Sequence, residues 1–538
     1  MTIIYRAQRI LTMDPNRPSA THVAVRDGHI LAVGDADCAR PWGGGRADDT
    51  FADAVLAPGF VEGHAHLMTG AMWEYVYAGD RDRTDPDGNL HPGMPDVATV
   101  ISGLRDAASR VDGAVIAWGF DPIFLTEKRL DRTDLDQVSP ERPVAVIHSN
   151  FHLMTVNSKA LEMVGYTRDS NLEGLLRDEK GEPNGELQEM GVMFPLMRRL
   201  GINFRQLAST EKAVRGFGRS AQRTGCTTAT DLFSELPEED VAELLRITGA
   251  DDFPMRLVPA VNGLTEPADA VRERVLALRA RSTEKLRMGA VKLMADGSIQ
   301  GYTARVKWPG YVTGHPNGIW NQPPDQLGAQ IVDLHGAGVQ MHIHVNGDEA
   351  SEAALDGLEE ALRLHGGRDH RHVLQHCQMM DRAQFERAAR MGVCVNVFSN
   401  HIWYFGDAHY ERTIGPERAE RMNGARAALD AGCTLAIHSD SPVTPMGPLH
   451  VAWCAVNRLT PSGRVLGEQQ RITAAEALEA ITLGAARTLK MDHEVGSIEV
   501  GKRADFAVLG DDPEAVRPEA LRDVEVRGTV LGGTPFLL

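Results

Sequence analysis

Eight apolar runs constrain this chain more than any other feature; they lie at residues 55–66, 226–231, 255–262, 288–296, 339–344, 372–376, 393–398 and 434–440. Helical patterns separate most of them, as at 348–364 and 382–391. Strands alternating with helices build parallel sheets, because a parallel strand needs a long crossover before it can join its neighbour. Eight such units predict an α/β fold, a closed (β/α)8 barrel of the TIM type. The interval between 67 and 225 is too long for one crossover. It predicts an inserted subdomain at about 68–222, with strands of its own at 114–120 and 144–148. Insertions at the C-terminal face of a barrel shape its active site.

The two ends of the chain differ from its middle. Residues 3–12 and 20–33 read as short strands, with the turn signal Arg26-Asp27-Gly28 inside the second. Residues 496–509 and 524–530 are β-rich as well. Together they predict a small β-sandwich built from 1–55 and 489–538, around a barrel that spans 56–488.

Five of the eight runs end in residues that bind metals. The first closes on His64-Ala-His66, and residues two apart on a strand point to the same side. Lys292 lies in the fourth, His344 ends the fifth, His376 the sixth and Asp440 the eighth. In a barrel these ends share one rim, the rim that carries catalytic residues. Neighbouring histidines crowd the set. His342 shares a face with His344 and competes as a ligand, although His344 opens a Gly-Asp motif nearer the rim. His372 lies deeper and reads as structural, and His438 either orients a ligand or is packed.

This pattern resembles the amidohydrolase superfamily of metal-dependent hydrolases. The resemblance rests on the Ala-Pro-Gly-Phe-Val-Glu-Gly-His-Ala-His segment and on Gly496-Ser-Ile-Glu-Val-Gly-Lys-Arg-Ala-Asp505-Phe. The branch containing N-substituted formamide deformylases is similar in its long insertion after the first strand. It is similar too in a Val-Lys-Leu-x-Ala-Asp-Gly-Ser fourth strand and a His-x-x-Gly-Asp motif, here His344-Val-Asn-Gly-Asp348. The resemblance implies that His64, His66 and Asp440 hold a more buried metal and that His344 and His376 hold a more exposed one. Lys292, carboxylated on Nζ, would bridge the two. Relatives often place Glu before the sixth-strand histidine, where this chain has Gln375.

Histidine and carboxylate ligands favour Zn2+, one ion or two, with Mn2+ or Fe2+ also able to fit. The implied reaction is hydrolysis of an acyclic N-acyl or N-formyl C–N bond, with Asp440 as general base. A deaminase or cyclic-amide hydrolase is the alternative, and a non-catalytic oligomeric scaffold the remaining one. The absence of Glu after His344 counts against deamination. In the insertion, the run 146–158 matches a stretch that reaches over the site in the branch, and within it His152 is the candidate oxyanion-stabilising, substrate-contacting group. Asp296 either contacts substrate or caps the turn that follows it, and Trp73 and Trp403 are further substrate-binding candidates; Tyr75, Phe120, Trp308 and Trp320 complete the aromatic set, of which two or three are expected at the site.

Charge narrows the partners. Fifty-six basic and 74 acidic residues give a net −18, against nucleic acid and anionic membranes. The expected partner is a small-molecule amide, and the resemblance implies a homo-oligomer, dimer or tetramer. Six scattered cysteines without a Cys-x-x-Cys pair, and an N-terminus without a signal-peptide core, point to a reduced, cytoplasmic protein.

Overall fold

A computed structural model describes residues 1–125, 128–367 and 369–538. Two compact units divide the chain: residues 1–66, 218–441 and 446–538 form one, and 67–217 with 442–445 form the other.

The first unit holds eight parallel strands in sequential order: β1 (Phe60–Glu62), β2 (Cys226–Ser234), β3 (Arg256–Asn262), β4 (Ala290–Met294), β5 (Gln340–Val345), β6 (Val373–His376), β7 (Cys394–Val397) and β8 (Leu435–Ile437). Nearly every residue in them is buried, as expected of strands covered on both faces. The sheet returns on itself just beyond β1 and β8. Ala65 and Ser441 form a parallel bridge, the His66 amide donates to the Ser441 carbonyl at 2.8 Å, and the Asp440 amide donates to the His64 carbonyl at 3.0 Å. These bonds make the curled sheet a TIM-like barrel. The predicted helices follow their strands: Asp348–His365 comes after β5 and Arg382–Arg390 after β6. A capping box in which Asp381 and Gln384 exchange bonds starts the second helix.

The first apolar run behaves differently from the expectation. Residues 55–66 do not form one strand. Arg46–Pro58 belongs to a sheet of the chain termini, and the barrel strand begins at Phe60. Gly59 is the switch. A Cβ there would stand 2.1 Å from Thr227 Oγ1, so only glycine lets the chain pass β2 as it changes sheets.

The terminal sheet has seven strands, in the order Thr534–Leu537, Val526–Leu531, Phe506–Leu509, Arg46–Pro58, Ile3–Leu11, Ser19–Arg26 and His29–Gly34. Both ends of the chain contribute to it as one continuous sheet. Residues 20–33 resolve into a hairpin whose turn residues Asp27 and Gly28 have φ of 51° and 77°, the pair of positive values that a tight two-residue hairpin requires. Tyr5, Phe51, Leu56, Phe506 and Val530 form its core.

An ion pair ties the C-terminal Lys-Arg-Ala-Asp signature to the barrel. Arg256, on β3 and fully buried, donates to Asp505, whose other oxygen accepts the Gly532 amide at 2.8 Å. The second unit carries a six-stranded sheet, in the order Leu175–Arg177, Pro183–Gln188, Leu153–Val156, Val144–His148, Val115–Phe120 and Val76–Tyr77. All six cysteines are free, and all but Cys38 are buried. Among the described residues no helix is long and apolar enough to cross a membrane.

Removing one partner of a buried ion pair costs about 3–5 kcal/mol where the other charge is left unpaired, and without Asp505 the buried Arg256 keeps only the longer contact to Glu284 at 3.4 Å. Asp505→Ala is therefore expected to lower the melting temperature sharply, as read by circular dichroism. An unchanged melting temperature would show that Arg256 finds compensation elsewhere.

Candidate metal centre

The bonds that close the barrel also gather its donors. His64 and His66 follow β1, and Asp440 follows β8 with φ of 54°. His376, the last residue of β6, has φ of 74°. Left-handed backbone is unfavourable for non-glycine residues and accumulates where side chains are held for a purpose. Here it turns the side chains of two strand-end residues into one space.

The distances describe a convergent donor set. His66 Nε2 lies 3.1 Å and His64 Nε2 3.4 Å from Asp440 Oδ1. Lys292 Nζ is 3.4 Å from His64 Nε2. His376 Nδ1 lies 3.6 Å from Asp440 Oδ2 and 3.1 Å from His438 Nε2. Two ligands of one zinc ion, each about 2.0–2.1 Å away, stand roughly 2.9–3.4 Å apart. The spacings here match that interval or exceed it slightly, and the donors are the imidazoles and carboxylate that zinc prefers. Two groups of donor atoms each lie within 4.8 Å of one another: His64 with His66 and Asp440, and His64 with His376 and His438. The residues fit a divalent ion.

Electrostatics keeps the nitrogens available. Burial pushes His64 and His376 well below the ordinary imidazole value, with Lys292 adding for His64 and His344 for His376. Burial brings His438 down to about 3. These rings are neutral at neutral pH and carry a lone pair each. For Asp440, burial alone would raise the pKa, but the hydrogen bond and charge of His66 outweigh it and hold the carboxylate below its ordinary value.

His344 stands slightly apart. Its ring lies 4.5 Å from that of His376, centroid to centroid, but its Nε2 faces the Gly297 carbonyl at 3.1 Å and Asp296 Oδ1 at 3.6 Å. The atoms that converge within 4.8 Å do not include it. His342 points to Gln375 Nε2 at 2.8 Å instead of competing as a ligand. His372 is structural: it accepts from the Met341 amide at 3.2 Å, and its Nε2 meets His335 at 2.9 Å.

Asp296 clamps backbone. Its oxygens accept the amides of Asn346 at 3.0 Å, Gly347 at 2.8 Å and Arg305 at 2.9 Å. That explains the Gly-Asp motif after His344, because a Cβ on Gly347 would fall 1.7 Å from the Arg305 carbonyl oxygen. Trp403 stacks edge-on against Trp453 at 5.3 Å, with the Arg522 guanidinium 4.9 Å over its ring. Trp308 is 93% exposed, and Trp320 lies under Arg305.

His152 and Trp73 belong to the second unit. Trp73 sits edge-on to Trp118 at 5.3 Å, and Tyr75 and Phe120 join apolar clusters of the same unit. His152 Nδ1 meets Glu189 Oε2 at 3.0 Å, and the Glu189 amide donates to the His152 carbonyl at 2.7 Å. Glu189 holds φ of 66° and ψ of 161°, a conformation nearly confined to glycine.

Three residues escape the sequence reading of the site, and a fourth, Gln375, enters it only as the residue that replaces a Glu. Glu189 is one of the three. Gln375 and Asn396 form an amide pair beneath the histidines: Gln375 Oε1 faces His64 Nδ1 at 2.8 Å and accepts from Asn396 at 3.0 Å. Glu62 accepts from the Ser439 hydroxyl at 2.7 Å and the His64 amide at 3.2 Å, bracing both ligand segments. Glu62 precedes His64 by two, and Asn396 is the polar residue of an apolar strand; both signals stand in the sequence.

A barrel with buried histidines and an aspartate at its C-terminal rim defines a metal-dependent hydrolase type of site. The model of the amidohydrolase family matches residues 52–536, and the chain belongs to that family. It is 26% identical over 522 residues to Protein LONG AFTER FAR-RED 3 of Arabidopsis thaliana, covering 93% of this chain and 85% of that one. It is also 26% identical to the N-substituted formamide deformylase of Arthrobacter pascens, covering 97% and 96% of the two chains. The crystal structure of an uncharacterized metal-dependent hydrolase from Pyrococcus horikoshii OT3 superposes with a TM-score of 0.71 at 20% identity, over 96% of this chain and 99% of that one, and shares its fold.

Burial pushes Glu62 up to about 7 from 4.5, against the hydrogen bonds of Ser439 and the His64 amide. Its ionisation therefore costs stability as pH rises from about 4.5 to about 7, with no cost below that window and the full cost above it. Glu62→Gln keeps an acceptor and removes the charge. The melting temperature of the metal-stripped variant, relative to wild type, is expected to climb between about pH 4.5 and pH 7 and to level off above. A difference independent of pH would contradict the assignment.

Proposed function

We propose that this amidohydrolase cleaves an acyclic C–N amide bond in an N-acyl or N-formyl small molecule. The observation that carries the reading is the convergence of His64, His66 and Asp440 at the closed end of the barrel. The deformylase relative, aligned along nearly the whole chain, supports the substrate class.

His64, His66 and Asp440 would hold the more buried ion, and His376 with His344 the more exposed one. A divalent cation there, zinc by donor chemistry, supplies Lewis acidity that lowers the pKa of water and polarises a carbonyl. Asp440 takes the proton from the attacking water and delivers it to the leaving amine nitrogen. His152, oriented through Nδ1 by Glu189, is assigned to stabilise the developing oxyanion. The domain boundaries read from sequence, including the insertion at 68–222 and the terminal sandwich, belong to the same proposal, as do a homo-oligomeric assembly and a cytoplasmic location.

Lys292 suits the bridging role. Burial brings its pKa down to about 7, against the pull of Asp440. At neutral pH about half of it is then a neutral amine with a free lone pair, whereas an exposed lysine would be almost wholly protonated. The neutral amine attacks carbon dioxide, an N–C bond forms, and a proton leaves. The product is an anionic carbamate with two oxygens. Lys292→Ala is expected to lower the metal content per chain measured by mass spectrometry of the elements, by about one ion of two. Unchanged content would remove the bridge.

The test of function is product release from a mixed panel: N-formyl amines, N-acyl amino acids, aryl amides, cyclic ureides and aminated heterocycles. Metal-loaded wild type is expected to release amine and carboxylate, and a folded Asp440→Asn variant to lose at least about a thousandfold in turnover, within the range for loss of an acid–base group and its site. Ammonia from a heterocycle would move the reading to deamination. Full activity in Asp440→Asn would remove Asp440 as the base.

A further inference from the structure

His438 is treated by its position as a neighbour of the ligands, two residues before Asp440. The hydrogen bonds beneath the centre assign it more. His438 lies face to face with His64, ring centroids 4.8 Å apart and planes 21° from parallel. Its Nε2 is 3.1 Å from His376 Nδ1, and its Nδ1 is 3.1 Å from Asn396 Oδ1.

The amide pair couples two tautomers. Asn396 Nδ2 donates to Gln375 Oε1 at 3.0 Å, so Asn396 Oδ1 faces His438 Nδ1. Gln375 Oε1 also faces His64 Nδ1 at 2.8 Å. Reversing one amide alone would set oxygen against oxygen or NH2 against NH2. Only two arrangements satisfy the network. In one, both rings carry the proton on Nδ1 and a lone pair on Nε2; in the other, both are reversed. His64 and His438 therefore share a tautomer. When His64 binds an ion through Nε2, as its position beside Asp440 requires, His438 Nε2 is bare too.

That bare nitrogen points at the space the other donors share. Its separation from His376 Nδ1 equals the roughly 2.9–3.4 Å expected of two nitrogens on one ion. Its donor group, with His64 and His376, closes within 4.8 Å. From this juxtaposition we infer that His438 is itself a metal ligand, through Nε2, on the ion that His376 holds, beside the ion that His64 holds with His66 and Asp440. The inference rests on the reading of this rim as a metal centre. Asn396 and Gln375 are then positioning residues that hold His64 and His438 in the tautomer that binds.

The test uses the full chain loaded with Co2+ and proton NMR of its exchangeable imidazole N–H signals. A ligating ring takes a large hyperfine shift through its bonds to the ion, whereas a ring that only hydrogen-bonds to a ligand does not. His438→Gln is expected to remove one strongly shifted signal and leave the others in place, which also shows that the variant folds. An unchanged number of shifted signals would overturn the assignment and make His438 an acceptor for His376 alone. Anomalous diffraction from cobalt-loaded wild type decides without a variant: a His438 Nε2 about 2.1 Å from cobalt supports the ligand role, and one beyond about 3 Å overturns it. Wild type that binds no cobalt would overturn the metal centre itself, whereas bound cobalt with an unchanged signal set overturns His438 alone.

Discussion

The short ladder that closes the barrel is the constraint on which the site depends. The His66 amide bonds to Ser441 and the Asp440 amide to His64, joining the segments that follow the first and last strands. Those segments lie more than 370 residues apart in sequence, and neither has enough donors to hold an ion. Once they are paired, alternation along an extended chain places His64 and His66 on one side, and the positive φ of Asp440 turns its carboxylate towards them. Glu62 strengthens the same junction by accepting from the Ser439 hydroxyl and the His64 amide. Fold and chemistry share these few bonds.

Beneath the donors the chain solves a second problem, the direction of each imidazole. A neutral histidine has one donor and one acceptor nitrogen, and only the acceptor can bind a metal. In this protein two amides, Gln375 and Asn396, couple that direction between neighbouring rings, so that fixing one fixes the other. Amides suit the task because each offers both a donor and an acceptor, so one network can fix several tautomers together. A carboxylate at 375 would accept from every side and would add a charge under the metal. The burial that makes such a network costly to leave unsatisfied also restricts it to the two arrangements in which every amide is paired.

Much of this was legible in the sequence. Eight apolar runs separated by helical patterns describe a barrel, and ligand-type residues at run ends describe its rim. His64, His66, His376 and Asp440 converge because strand ends in a barrel have no other place to go. Strands 115–120 and 144–148 of the second unit were visible as apolar runs of their own. What escaped depended on contacts between distant segments. The division of 55–66 between two sheets follows from the approach of Gly59 to Thr227, and no periodicity records it. For Asp296 the sequence leaves substrate contact and turn capping open, and only the fold shows its oxygens holding three backbone amides. Trp403 is engaged by Trp453 and Arg522, which lie far along the chain. Glu189 gave no sign, since its role depends on a strained backbone and on meeting His152 across the sheet of its own unit.

The central claim is that the closed end of the barrel binds divalent metal through buried, neutral histidines and Asp440. Calorimetric titration of zinc into metal-stripped, folded wild-type protein at neutral pH tests it most directly, with His64→Ala/Asp440→Ala as the reference. The account predicts saturable binding of one or two ions per chain that the double variant loses. Zinc uptake that is equal in both proteins, or none in the wild type, would contradict it.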